Sequence, residues 1–209
     1  VIDGGYLMLK AKYIAALAVT TFFLNTVHAK TDFNNVIKGN YAFTGVYYCL
    51  NAPGGFNESG QPVNPLNSTL VNITISGNMS FDKQGQSTQE GNYVETILPA
   101  SAANINAIPS VDSGTFTVAP STYTVTDSRH VTIIPGETTA TGNIGPNVAF
   151  KGIFKLTDGK LTGQLGSNRS VVLTSPAQVV QTGDIYLNGV LVASFPRMCS
   201  VTMTLIPLH

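Results

Sequence analysis

Tryptophan is absent from this 209-residue chain, cysteine occurs only twice, and histidine only three times. Charged residues make up 11% of it, against about 25% in an average soluble domain. Each shortage excludes something. Two cysteines and scattered histidines form no ligand cluster for zinc, so no metal is expected. Acidic and basic residues number eleven each, with no basic stripe, which argues against nucleic acid as a partner. Low charge combined with 43% hydrophobic residues argues against intrinsic disorder, which needs the opposite balance. The polar surface must instead come from Ser, Thr, Asn, Gln and Gly.

The mostly apolar run Tyr13 to Leu24 is shorter than the ~20 residues that span a bilayer. It follows Lys10 and Lys12 and precedes Val27-His28-Ala29, with small residues where a signal peptidase reads. This three-part pattern predicts a signal peptide over residues 8–29, cleaved after Ala29. Residues 1–7 carry Asp3 and precede a natural start at Met8, so they read as leader translated from a start assigned too early. Residues 30–209 are then expected as a single exported domain, with no transmembrane segment in the mature chain. Its destination is the periplasm, the cell surface or the medium.

The mature part alternates with a period of two, the mark of half-buried strands. Cys199, Val201, Met203 and Leu205 share one face of the last strand, and Ser200, Thr202 and Thr204 the other. Tyr41, Phe43, Gly45, Tyr47 and Cys49 share a face of the first. Val71, Ile73, Ile75, Met79 and Phe81 do so in the clearest alternation, with Gly77 expected to mark a bend or bulge. Between Phe116/Val118 and Tyr123/Val125 the phase flips at Pro120, which predicts a bulge or two short strands. Asp82-Lys83-Gln84-Gly85 reads as a turn, and Asp158-Gly159 and Asn188-Gly189 as hairpin turns. Thr138 to Thr141 reads as an edge strand, and Pro196 as a corner before the final strand. The class is therefore all-β: an antiparallel, calycin-like β-barrel of about 8–10 strands, or alternatively a two-sheet β-sandwich. Two cysteines in an exported chain favour a Cys49–Cys199 disulfide tying first strand to last, the alternative being two buried thiols.

Gly39-Asn40-Tyr41-Ala42-Phe43-Thr44-Gly45, Cys49-Leu50, Pro53-Gly54-Gly55-Phe56 and Pro196-Arg197-Met198-Cys199 resemble a group of small exported bacterial β proteins of unknown function. The resemblance covers the two ends of the chain. It implies that the two cysteines belong together and supplies no catalytic residue. The overall pattern is also similar to calycin barrels such as lipocalins, although the lipocalin Gly-x-Trp signature is missing.

No nucleophile elbow, phosphate loop or calcium loop is present. His130 falls on the polar face of a short strand, and Glu90, Glu95, Asp112 and Asp184 read as scattered surface carboxylates, the alternative being that facing strands bring Glu90 and Glu95 together with Asp112 or Asp184 to flank a glycosidic bond. No cofactor is implied. The aromatic and aliphatic residues Tyr41, Phe43, Tyr47, Ile73, Phe150 and Phe154 are the candidate lining of an interior cavity for a small apolar ligand, the alternative being a filled core. The leading expectation is a non-enzymatic exported barrel that binds such a ligand. A self-associating matrix, adhesin or filament subunit, with Lys30–Lys38 as a donor strand, and a barrel enzyme of the cyclase or isomerase type are the alternatives.

Overall fold

A computed structural model describes residues 33–99, 110–143, 147–175 and 179–209. The expected leader, signal peptide and cleavage site lie outside the described residues, as does the Ala- and Asn-rich connection at 100–109. Residues Asp32–His209 belong to one unit.

Period-two alternation becomes eleven strands among the described residues: β1 (Gly39–Asn51), β2 (Thr69–Phe81), β3 (Gln86–Pro99), β4 (Ser110–Val125), β5 (His130–Ile134), β6 (Thr138–Asn143), β7 (Ala149–Asp158), β8 (Leu161–Leu165), β9 (Val171–Thr174), β10 (Val179–Leu187) and β11 (Val190–Pro207). All pairings are antiparallel in one sheet. The sheet closes because β1 pairs with β11 from Tyr41↔Pro207 to Asn51↔Arg197. A ring of strands with no free edge is the barrel solution to unpaired backbone polar groups.

The wall between β4 and β11 has two tiers. One end of β4 pairs with β5, which continues through β8 and β9 to β11. The other end pairs with β6, which continues through β7 and β10 to β11. The short strands are collinear pairs: β5 runs on into β6, β7 into β8 and β9 into β10. Eight positions therefore surround the barrel, in simple up-and-down order.

This arrangement corrects four expectations. Asp158-Gly159 is no hairpin: β7 and β8 do not pair with each other, and Gly159, at φ 138°, takes up a jog between collinear strands. Thr138 opens an interior strand, since β6 is paired with both β4 and β7. Pro196 lies inside the continuous β11. A residue's N and O point to the same side of a strand. Pro196 O faces Ala52 N, at 3.0 Å, just beyond the end of β1, so the missing N–H removes no ladder bond. Of the bend or bulge expected at Gly77, the bulge is absent, because β2 keeps its register with both neighbours. Gly77 permits close approach instead: a Cβ there would overlap the backbone of Glu90 and Gly91.

Other expectations hold. The β3–β4 register shifts between Ser87 and Gln89, at the Pro120 phase flip, and Ser121, Tyr123 and Val125 turn inward after Phe116 and Val118. Asn188 and Gly189, at φ 49° and 82°, make the two-residue turn between β10 and β11. Asp82 Oδ1 accepts the backbone N–H groups of Gln84 and Gln86, both at 2.8 Å, so this carboxylate stabilises a turn.

The inner faces form one core of aromatic and aliphatic side chains. At one end the 3₁₀ helix Phe33–Val36 packs on β4, with Asn34 Oδ1 accepting Val125 N–H at 3.0 Å. Residues 33–36 are thus helical and not a free donor strand. Arg169 donates to the carbonyls of Val36 and Lys38 and lies over the Tyr41 ring. Tyr41, Phe81 and Tyr123 stack edge to face beneath it, at 5.4 and 4.9 Å between centroids. Outward positions are mostly Thr, Ser and Asn, as at Asn72, Thr74, Ser76 and Asn78. Among the described residues no helix is long and apolar enough to cross a membrane.

Candidate functional site

The Cys49–Cys199 disulfide joins direct cross-strand partners, with Cα atoms 4.1 Å apart. It stands beside the interior feature that concentrates chemistry. Two residues before Cys199 on the same face of β11, Arg197 points inward and is only 6% exposed. Its Nε donates to Gln181 Oε1 at 2.6 Å, from the paired strand β10, and its guanidinium lies 3.8 Å from the Phe154 ring centroid. A cation buried in an apolar wall requires such partners, because an isolated one is expensive to desolvate.

Glu95 reaches the same space from β3, with Asp112 as its cross-strand partner on β4. Burial holds Glu95 above its ordinary pKa; Arg197 pulls it down and Asp112 pushes it up. Burial lowers the Arg197 pKa to about 10, while Glu95 and Tyr47 oppose the shift, so Arg197 remains a cation at neutral pH. Glu95 and Arg197 sense each other yet form no ion pair. Among the described residues, Lys155 and Glu137 form an ion pair, at 3.1 Å on the surface. Tyr93, whose hydroxyl is 3.4 Å from Asp112 Oδ2, and Tyr47 are both raised above the ordinary phenol value, chiefly by burial.

These groups surround an interior cavity of about 70 Å³. Tyr47, Ile73, Phe150 and Phe154 from the expected lining meet there. Tyr41 and Phe43 do not line it: Tyr41 is packed at the helix-covered end, and Phe43 stacks on Phe116 with centroids 6.1 Å apart. The Gln89 side-chain amide nitrogen, also along this lining, has no hydrogen-bond partner among the described residues. Sequence reasoning passed over Arg197, Gln181 and Tyr93 and read Glu95 as surface. The signal was present in the phase: Arg197 is in step with the inward Cys199 and Val201, and Glu95 with the inward Tyr93.

The remaining carboxylates do not converge. Glu90 is exposed, and Asp184 accepts a hydrogen bond from Ser194 at 2.6 Å. His130 is exposed. Among the described residues no group of His, Cys, Asp and Glu could hold a metal ion.

Fold and site together define a disulfide-closed, all-β, barrel-like protein with an unpaired charge couple facing an interior cavity. No protein-family model matches the chain, and no curated protein or solved structure matches it either.

Proposed function

We propose that this chain is an exported, non-enzymatic barrel that holds a small, mainly apolar ligand in its interior. One observation carries the reading: the cavity is walled by Ile73, Phe150, Phe154, Met203 and similar side chains and carries a few convergent polar groups. That combination is the usual composition of a small-molecule site. At about 70 Å³ the space is far below the ~300–1,000 Å³ of pockets for drug-sized ligands, so the ligand is a short molecule. Export to the periplasm, cell surface or medium is supported by the three-part N-terminal pattern and by the disulfide, which persists in oxidising compartments.

Native mass spectrometry of protein taken from its host, with NMR titration by short apolar molecules, tests the reading. A retained small molecule, or shifts confined to residues such as Tyr47, Ile73 and Phe150, supports it. No retained molecule and no localised shifts would reject it.

A second reading, self-association, is favoured by a row on the outer surface. Met198, Leu50, Leu70 and Leu98 are successive cross-strand partners on β11, β1, β2 and β3, and Leu70 and Leu98 are 48% and 40% exposed. Sedimentation of the parent and of Leu70→Asn distinguishes it: a parent oligomer that dissociates in the variant supports assembly.

A further inference from the structure

We infer that the ligand of this cavity is a small monocarboxylate whose anionic head is received by Arg197. The inference rests on the ligand-binding reading above and names the chemical class. A guanidinium offers five N–H donors in a rigid fork. In Arg197 the Nε donor is taken by Gln181, and Phe154 covers one face of the plane. The terminal nitrogens make no hydrogen bond and no carboxylate contact among the described residues. Their fork matches the two oxygens of a carboxylate, the geometry in which charge-assisted bonds are strongest.

The surroundings select for the rest of the molecule. Ile73, Met79, Phe150 and Val201 line the cavity and suit a short aliphatic tail. The volume of about 70 Å³ excludes a long chain. Glu95 balances the Arg197 charge without touching it, which leaves the fork accessible while lowering the cost of an empty site. The same carboxylate repels an entering anion, so removing its charge strengthens carboxylate binding. Asp112, Tyr93 and Tyr47 are the other titratable groups facing Glu95 and Arg197.

Calorimetric titration with acetate and propionate, each against its alcohol (ethanol and propan-1-ol), tests this on the parent, Arg197→Gln and Glu95→Gln with the disulfide intact. The parent is expected to prefer each carboxylate by about tenfold or more, the scale of a hydrogen bond to a charged group. Arg197→Gln should abolish that preference while still binding the alcohols. Glu95→Gln should raise the preference for each carboxylate over its alcohol several-fold. Equal binding of acid and alcohol by the parent, or a preference that survives Arg197→Gln, overturns the inference and leaves the ligand-binding reading intact. Absence of binding by either class overturns both. If Arg197→Gln does not fold, the Glu95→Gln arm decides: no gain in the preference for the carboxylates overturns the inference.

Discussion

The guanidinium of Arg197 lies over the face of Phe154, 3.8 Å from the ring centroid, with Gln181 holding its Nε at 2.6 Å. These two contacts are what let a cation stay in the barrel interior. Phe154→Leu keeps an apolar side chain but removes the negative ring face. It should cost about 1–2 kcal/mol, the range of a desolvated cation–π contact. Gln181→Leu, which strips the charge-assisted acceptor, should cost about 1.5–3 kcal/mol. Urea melts of the two variants check both values.

The Glu95 carboxyl sets a pH dependence with a definite sign. Its folded pKa is raised above the ordinary 4.5, mainly by burial. The unfolded chain therefore releases this proton at lower pH than the folded one. The contribution is fully present below pH 4.5 and is lost as pH rises through the raised folded value. Glu95→Gln should flatten that loss, making the variant more stable relative to the parent at neutral pH than at pH 4. Chemical denaturation at the two pH values measures it. A parent and variant with parallel pH profiles would show that Glu95 is solvated.

Replacing both Cys49 and Cys199 with Ala should lower stability by about 2–5 kcal/mol while circular dichroism still reports the β fold. The strands remain zipped by the β1–β11 ladder, and the alternating faces still supply burial at ~25 cal/mol per Å². A double variant as stable as the parent would mean that the ladder alone closes the ring.

Val201→Asp should be worse than the loss of the disulfide, at more than about 5 kcal/mol, because a carboxylate with no hydrogen-bond partner would enter the mainly apolar lining of the cavity. Val201 is 4% exposed and faces inward between Cys199 and Met203. His130→Ala, by contrast, changes an exposed side chain and should stay within about 0.5 kcal/mol of the parent.

Gly77→Ala tests the close approach of β2 and β3. The added Cβ would meet the backbone of Glu90 and Gly91, which cannot step aside as a side chain can. A loss of at least about 1–3 kcal/mol is expected, the range for overpacking. Gly189→Ala meets no neighbouring atom but sits at φ 82°, so its cost should be conformational strain alone.

By itself the sequence determined the local and the strongly periodic. Side-chain direction alternates along any extended strand, so the inward faces of β1, β2 and β11 are written in every second residue, and with them the inward direction of Cys49 and Cys199. Asn188-Gly189 specified its own turn because both residues tolerate positive φ. Only the tertiary structure decided what depends on a partner strand. Asp158-Gly159 has the same local freedom whether the chain reverses or merely jogs, and the choice follows from β10 and β6 lying beside β7. Pro196 is tolerated within β11 because β1 ends at Asn51, a fact written elsewhere in the chain. The cavity couple has the same origin. The phase of Arg197 and of Glu95 was legible in their own strands, about a hundred residues apart. That they face one space without touching follows from the circumference of the closed ring, which no single strand encodes.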